Sequence, residues 1–262
     1  MTPGRVPLVI AGGAGPVHAC DIARELDLQL LIVPKASSVF CATGMLLSNL
    51  RHDYVRVHYS NMDEEDVNTD TVNSLLEEMK EEGFATLRKE GIPQEKMEFT
   101  CTADLKYVAQ FNEIEILLPL NNGRFSFNDL PDLQCAFDNK HDALYGYSLP
   151  CTPLELICLR VKAEGITEKL EFKKLPFVGE DASAAIKAQR EIYYEEEMLT
   201  VPVYDGNRMQ HGNRLPGPAI IEEPTTTLFI TPDFQVTCDR YCNYIIYPKG
   251  LSLDETITQI GK

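Results

Sequence analysis

The chain has 262 residues, 44% of them hydrophobic, with eight cysteines and a formal net charge of −16. The apolar content supports a packed core, and the length allows one large domain or two smaller ones. The acidic balance excludes a basic footprint for nucleic acid or an anionic membrane surface, and no run reaches the roughly 18–20 apolar residues of a membrane span.

From the N-terminus, MTPGRVPLVIAGG lacks the charged, apolar and small-residue order of a signal peptide, so the expected address is cytoplasmic. Residues Leu8 to Ala11 predict a strand, Gly12-Gly13-Ala14-Gly15-Pro16 a turn, and Pro16 to Leu26 a helix with Ala19, Ile22, Ala23 and Leu26 as its apolar stripe. Gln29 to Val33 predicts a strand and about Val39 to Leu50 a helix, which completes an α/β alternation. A boundary is expected near residue 60. Residues 1–60 carry about +1, whereas residues 61–100 hold twelve acids and four bases. Within that acidic stretch Val72, Leu75, Leu76, Met79, Phe84 and Leu87 recur at helical spacing.

From about residue 97 the pattern turns to strands: MEFTCTADLKYV, FNEIEILLPL, LELICLRVKAEGITEKLEF as one long strand or a pair, EEMLTVPVYDG, GPAIIEE, TTTLFITP and CNYIIYP. Two helices, Asn128 to His141 and roughly Asp181 to Gln189, are expected to interrupt them. The cysteines, at 20, 41, 101, 135, 151, 158, 238 and 242, include no CxxC pair and read as reduced core thiols. Cys238 and Cys242 read as two strand cysteines, and no metal site is expected. No GxSxG, HExxH or Walker sequence is present. Adjacent acids such as Glu222-Glu223 or Glu195 to Glu197 would point to opposite faces of a strand, which makes them poor acid/base pairs.

The segments GGAGPVHACDIARELDLQLLIVPKASSVFCATGMLLSNLRHDYVR, ADLKYVAQFNEIEILLP, YGYSLPCTPLELICLRVKA and VYDGNRMQHGNRLPGPAIIEEPTTTLFITP resemble, in order, blocks of the hydantoinase A, 5-oxoprolinase and acetone carboxylase family. The resemblance implies an α/β segment of an actin, sugar kinase and heat-shock-type ATPase fold over residues 1–60, followed by a β-rich α+β C-terminal domain over residues 61–262. It also implies ATP with a divalent metal, used in an assembled complex to phosphorylate an amide or carbonyl oxygen before ring opening. A subunit of an acetone or acetophenone carboxylase-like complex is the alternative, and a non-catalytic assembly module a second one. The expected partners are a polypeptide carrying the N-terminal ATPase half and a hydantoinase B-like subunit. The opening segment should then expose apolar surface that this half covers.

By the same resemblance Gly12, Gly13, Ala14, Gly15 and Pro16 form an adenosine-side loop, with His18 on the first helical turn as a hydrogen-bonding group toward nucleotide or substrate; a histidine that caps the helix or packs against the neighbouring strand is the alternative. Gly13 and Gly15 are the positions expected to permit close approach, and an unliganded βα turn is the alternative. Catalytic residues are not assigned. Arg51, His52, Asp53 and Arg56 form a family-like RHDYVR block, for which an internal Arg–Asp pair is the simpler account. Lys106, Tyr107, Gln110 and Glu113 fall on an RYxGQxxE-like block in which Lys106 replaces arginine and Ala109 replaces glycine, losing the bidentate fork.

Overall fold

The computed structural model describes residues 6–63 and 65–260; residues 1–5, 64, 261 and 262 lie outside them. In chain order, β1 (Leu8–Val9), α1 (Gly15–Glu25), β2 (Leu31–Val33) and α2 (Phe40–Leu47) come first. Next are β3 (Leu50–Asn61), α3 (Thr69–Lys89), β4 (Met97–Tyr107), β5 (Ile114–Leu117), α4 (Leu130–Tyr145) and β6 (Leu154–Gly165). The last part holds β7 (Ile186–Tyr194), β8 (Glu197–Asp205), β9 (Arg214–Pro216), β10 (Ala219–Glu222), β11 (Thr227–Ile230), β12 (Phe234–Cys238), β13 (Tyr244–Pro248) and α5 (Leu253–Ile260). Three sheets result, ordered β1-β2-β13-β12-β9, β11-β10-β8-β7 and β3-β6-β4-β5.

These elements form two compact units, Met1–Leu47 with Lys169–Lys262, and Ser48–Glu168. The division differs from a cut near residue 60, which falls inside β3. The reason lies in strand length. β1 and β2 are two and three residues long and pair in parallel, too short to hold a core by themselves. They are completed by β13, which pairs antiparallel to β2 with Tyr244 opposite Val33 and Ile246 opposite Leu31. One core therefore joins Ala19, Ala23, Leu31 and Val33 to Ile221, Ile230, Val236 and Ile246.

The second unit follows the helical and strand periodicities closely. Asn68 caps α3 by accepting a hydrogen bond from the Thr71 N–H at 2.9 Å, with Asp70 in the first turn and Arg88 and Lys89 in the last, as the helix dipole favours. Its buried stripe is Val72, Leu76, Met79, Gly83 and Leu87, while Leu75 and Phe84 are half-buried. At Gly83 the helix lies so close to the sheet that a Cβ would stand 2.7 Å from Ala163 Cβ. Alternation along β4 sends Cys101, Ala103, Leu105 and Tyr107 into this core.

Three expectations are corrected. The stretch Asp181 to Gln189 is a short 3-10 turn, Ser183–Ala185, leading into β7. Pairing with β8 from Ile186 opposite Tyr204 to Tyr194 opposite Glu197 outweighs the helical preference of its alanines. The hairpin turn uses Glu195 and Glu196 at φ 47° and 67°, and Arg24 of α1 fastens it through Glu195 Oε1 at 2.5 Å and Tyr194 OH at 3.1 Å. The helix expected up to Leu50 stops at Leu47, and Leu50 opens β3. Of the cysteines, all free thiols, Cys41, Cys135 and Cys151 are exposed rather than core, and Cys242 lies in a turn at φ 61° rather than in a strand.

On the β4 face that alternates with the core, Asp104 is buried and receives Arg160 Nε at 2.8 Å, Arg160 Nη2 at 2.5 Å and the Cys158 S–H at 2.9 Å. Burial raises its proton affinity, but these donors outweigh burial and hold the carboxyl below its ordinary value. The same contact, after burial itself, pushes the Cys158 thiol up to about 11. A depressed carboxyl contributes stability that is present above the unfolded-state value and lost as pH falls through the folded-state one. Asp104→Asn should therefore cost about 1–3 kcal/mol at neutral pH. In urea titrations its deficit against the native chain should narrow as pH falls below about 4; a deficit constant with pH contradicts this assignment.

Candidate functional site

The glycine turn after β1 is held from two sides by backbone and hydroxyl groups. Gly12 N–H donates to Ser37 O at 2.7 Å, and Thr226 Oγ1 donates to Gly13 O at 2.6 Å. Ser38 Oγ and Thr225 Oγ1, 2.5 Å apart, join the flanking turns to each other. Gly12 has φ +96°, a left-handed conformation that glycine adopts without penalty. A Cβ at Gly12 would meet nothing within 4 Å; at Gly13 it would touch Thr225 O at 3.5 Å, and at Gly15 Ile10 Cγ2 at 3.0 Å. The position facing open space is thus Gly12, rather than Gly13 or Gly15.

Helix α1 begins beside this turn without a side-chain cap. Its N-cap is Ala14, its first turn holds no acid, and Pro16 occupies an early position where an N–H is dispensable. Pro16 is buried and His18 is exposed on the first turn, so the histidine neither caps the helix nor packs into the core. An uncapped helix start leaves N–H groups and the positive end of the dipole directed at solvent. The structure thus gathers Gly12, Gly13, Ala14, Gly15, Pro16 and His18 at one corner and adds Ser37, Ser38, Thr225 and Thr226 to it.

The other family-like blocks serve the scaffold of the second unit. In RHDYVR, Arg51 Nη2 pairs with Asp53 at 2.8 Å on the same strand. The alternate residues tie β3 to α3: His52 to Glu90 at 3.0 Å, Tyr54 OH to Thr86 Oγ1 at 2.9 Å, and Arg56 to Glu78 at 2.9 Å and to Glu82. Lys106 pairs with Glu155 at 2.8 Å. Tyr107 is fully buried, donates to Asp138 at 2.5 Å and accepts from Leu149 N–H at 2.9 Å; burial, with Asp138 beside it, raises its phenol. Gln110 donates its backbone N–H to Tyr107 O at 3.0 Å. Ala109 has φ +69°, so the glycine of the related pattern answers a backbone demand that alanine meets with strain.

A buried ionic cluster lies in the first unit, and sequence reasoning missed it. Glu223, its side chain 3% exposed, receives Lys35 Nζ at 2.6 Å and the Tyr244 hydroxyl. Lys35 Nζ also donates to Gly206 O at 2.9 Å and lies 5.9 Å from the Tyr244 ring centroid. Burial, and then the Glu223 charge, drive the Tyr244 phenol well above its ordinary value. Neighbouring Glu222 points elsewhere, to Lys187 at 2.7 Å and Arg190 at 2.8 Å. The available signal was alternation: Ile221 is buried, and Glu223 two residues on shares its side. Among the described residues no group of three or more His, Cys, Asp or Glu is placed to hold a metal ion.

The profile of the hydantoinase/oxoprolinase C-terminal domain matches residues 59–245, and that of hydantoinase/oxoprolinase matches residues 1–54. Caprolactamase subunit alpha of Pseudomonas jessenii is 30% identical over 247 residues, covering 92% of this chain and 35% of that protein. The crystal structure of the ATP-dependent caprolactamase from Pseudomonas jessenii aligns with a TM-score of 0.70 at 27% identity, over 95% of this chain and 36% of the other. Nucleotide-free acetone carboxylase aligns with a TM-score of 0.83 at 23% identity, over 94% of this chain and 36% of the other, a likeness of fold. The chain spans about a third of the length of the first curated relatives it matches.

Two substitutions test these local assignments. Gly206→Ala would drive a Cβ into the Glu223 carboxylate and should cost about 1–3 kcal/mol in urea unfolding. The cost should shrink when Glu223→Ala is already present; strict additivity would mean that the two do not meet. Ala109→Gly should stabilise the chain by about 0.5–1 kcal/mol, because relief of left-handed strain exceeds the added unfolded-state entropy.

Proposed function

Because the chain belongs to the hydantoinase/oxoprolinase family, we propose that it supplies the adenosine side of an ATP site, together with the C-terminal domain, to an enzyme that phosphorylates the carbonyl oxygen of a cyclic amide before ring opening. The observation that carries this reading is the start of α1, which has no side-chain cap and no acid in its first turn. Gly12 faces open space, and the neighbouring turns hold the loop by backbone and hydroxyl bonds.

The residues fit the group. A purine and ribose need a flat approach to backbone, which Gly12 leaves free of a side chain. Thr226, bonded to Gly13 O, keeps the loop from collapsing across that approach. His18, exposed on the first turn, offers one hydrogen bond to the ribose or the substrate side. ATP with a divalent metal, when bound, supplies the phosphoryl group that converts an amide oxygen into a leaving group. No metal ligand is assigned to this chain, whose part is to bind and orient.

Phosphate positioning and charge neutralisation then come from sequence equivalent to the rest of the relatives' length, on the same chain or on a second polypeptide bearing the N-terminal ATPase half. A hydantoinase B-like subunit is the further partner. Apolar surface on α2 and the turn before it supports such an assembly: Val39, Phe40, Met45 and Leu46 are all exposed, with Met45 at 76%.

The test supplies the upstream ATPase sequence, melts the assembly with and without ATP and magnesium, and compares Gly12→Asn with the native loop. Asparagine tolerates the left-handed backbone better than other side chains, so the ligand-free melting temperature should stay within about 3 °C. The added side chain should cut the ATP-induced rise by half or more, in line with weaker binding to the folded state. His18→Ala should reduce the same rise without altering the ligand-free melt. If the native assembly gains no stability from ATP, the turn is structural and the chain is an assembly module. ATP cleavage coupled to a ketone and bicarbonate, rather than to a cyclic amide, would assign it to the carboxylases.

A further inference from the structure

The turn between β12 and β13 brings two thiols into contact. Cys238 ends β12 opposite Tyr244 and is fully buried. Cys242 is half-buried, has a left-handed backbone at φ 61°, and packs against the core that contains Cys238. The turn is closed by Cys242 N–H to Asp239 O at 3.0 Å and Asp239 N–H to Asn243 O at 2.9 Å. Asp239 Oδ1 also accepts the Tyr241 and Asn243 N–H groups, each at 2.8 Å. Inside this frame the Cys238 and Cys242 side chains are hydrogen-bonded to each other, and Cys242 S–H points to Met209 O at 3.9 Å.

We propose that Cys238 and Cys242 are a modification site, closing to a reversible disulfide at the expense of a small-molecule disulfide. The two sulfurs already touch, so the bond asks for adjustment of one turn and not of the paired strands. One sulfur is reachable from solvent and the other is not, which sets the order of attack. The glycine corner includes neither cysteine, so this site and the nucleotide reading stand or fall separately.

The exchange balances in two steps. Cys242 gives its proton to solvent, and its thiolate attacks one sulfur of the oxidant. The oxidant's S–S bond breaks, one thiolate leaves and takes up a proton, and Cys242 carries a mixed disulfide. Cys238 then loses its proton and attacks Cys242 Sγ, which expels the second thiol. Two protein thiols are oxidised by two electrons, and the oxidant is reduced to two thiols. Burial, then the charge and the hydrogen bond of Cys242, push the Cys238 thiol well up. The mixed disulfide removes that Cys242 charge, so Cys238 ionises more readily once its partner has reacted.

The test treats the full 262-residue chain with oxidised glutathione, blocks the remaining thiols, and digests it with trypsin without reduction. Cleavage after Arg240 separates residues 215–240, whose one cysteine is Cys238, from residues 241–249, whose one cysteine is Cys242. Mass spectrometry should find these two peptides joined, at about ten times the abundance of any other cysteine pairing or more, because the second step is intramolecular. Dithiothreitol should part them. Cys238→Ser should hold Cys242 as its glutathione adduct, and Cys242→Ser should leave the buried Cys238 unmodified. The native chain carries the decision if either variant fails to fold: exposed Cys41, Cys135 and Cys151 taking up glutathione while the two peptides stay separate would overturn the proposal. So would a Cys242 adduct that persists in the native chain, or a linkage that dithiothreitol leaves intact.

Discussion

Everything placed at the candidate sites depends on one pairing, β13 against β2. Strands of two and three residues make only a few ladder bonds, and the helix packed on them buries little more than Ala19, Cys20 and Ala23. Such a segment becomes stable only when strands from the far end of the chain extend its sheet, because the apolar area it could bury alone would not offset the entropy of ordering it. Once β13 is in place, Tyr244 stands opposite Val33 and its hydroxyl reaches Glu223. Glu223 in turn holds Lys35, just beyond β2. The glycine turn at the end of β1 and the Lys35–Glu223 pair at the end of β2 are products of the same closure.

The sequence carried local periodicity well and long-range pairing poorly. Helix α3 was legible because its apolar residues recur every three or four positions and its cap and terminal charges agree with the pattern. Strands β4, β5 and β8 were legible through β-branched and apolar runs. Strand β3 was not, because LRHDYVRVHYSN alternates charged with apolar residues and reads as surface charge until α3 is laid against it. There His52, Tyr54 and Arg56 find Glu90, Thr86 and Glu78. The start of strand β7 fell inside the helix expected over Asp181 to Gln189, where Ala182, Ala184 and Ala185 favour one; the strand's mostly exposed edge position gives no core-facing alternation to contradict them.

At the candidate site the residue types were legible and their division of labour was not. GGAGP announces a turn, but only the backbone separates Gly12, which needs its left-handed φ and faces open space, from Gly13 and Gly15, whose missing side chains face protein. Glu223 was read together with Glu222 as an adjacent pair. Alternation separates the two, one toward Lys187 and Arg190 near the surface and one into the core with Lys35 and Tyr244. A buried carboxylate is costly unless fully paired, so its partners had to come from elements distant in sequence, beyond the reach of any local pattern.

In both units ionic groups close on one another across paired elements, and the exception bears on where binding is proposed. In the second unit Asp104, Arg160 and Cys158, and likewise Lys106 with Glu155, close on one another across paired strands. Replacement of an arginine by Lys106 is tolerable in that setting, since a strand-to-strand pair with Glu155 needs a charge and not a planar fork. In the first unit Lys35 with Glu223, and Lys187 and Arg190 with Glu222, do the same, while the start of α1 is uncapped. Unspent donors on a rigid frame cost stability that a ligand can return on binding. The resemblance in RHDYVR and in the block from Lys106 to Glu113 therefore reports a shared scaffold, whereas the proposed nucleotide contact belongs to the glycine corner.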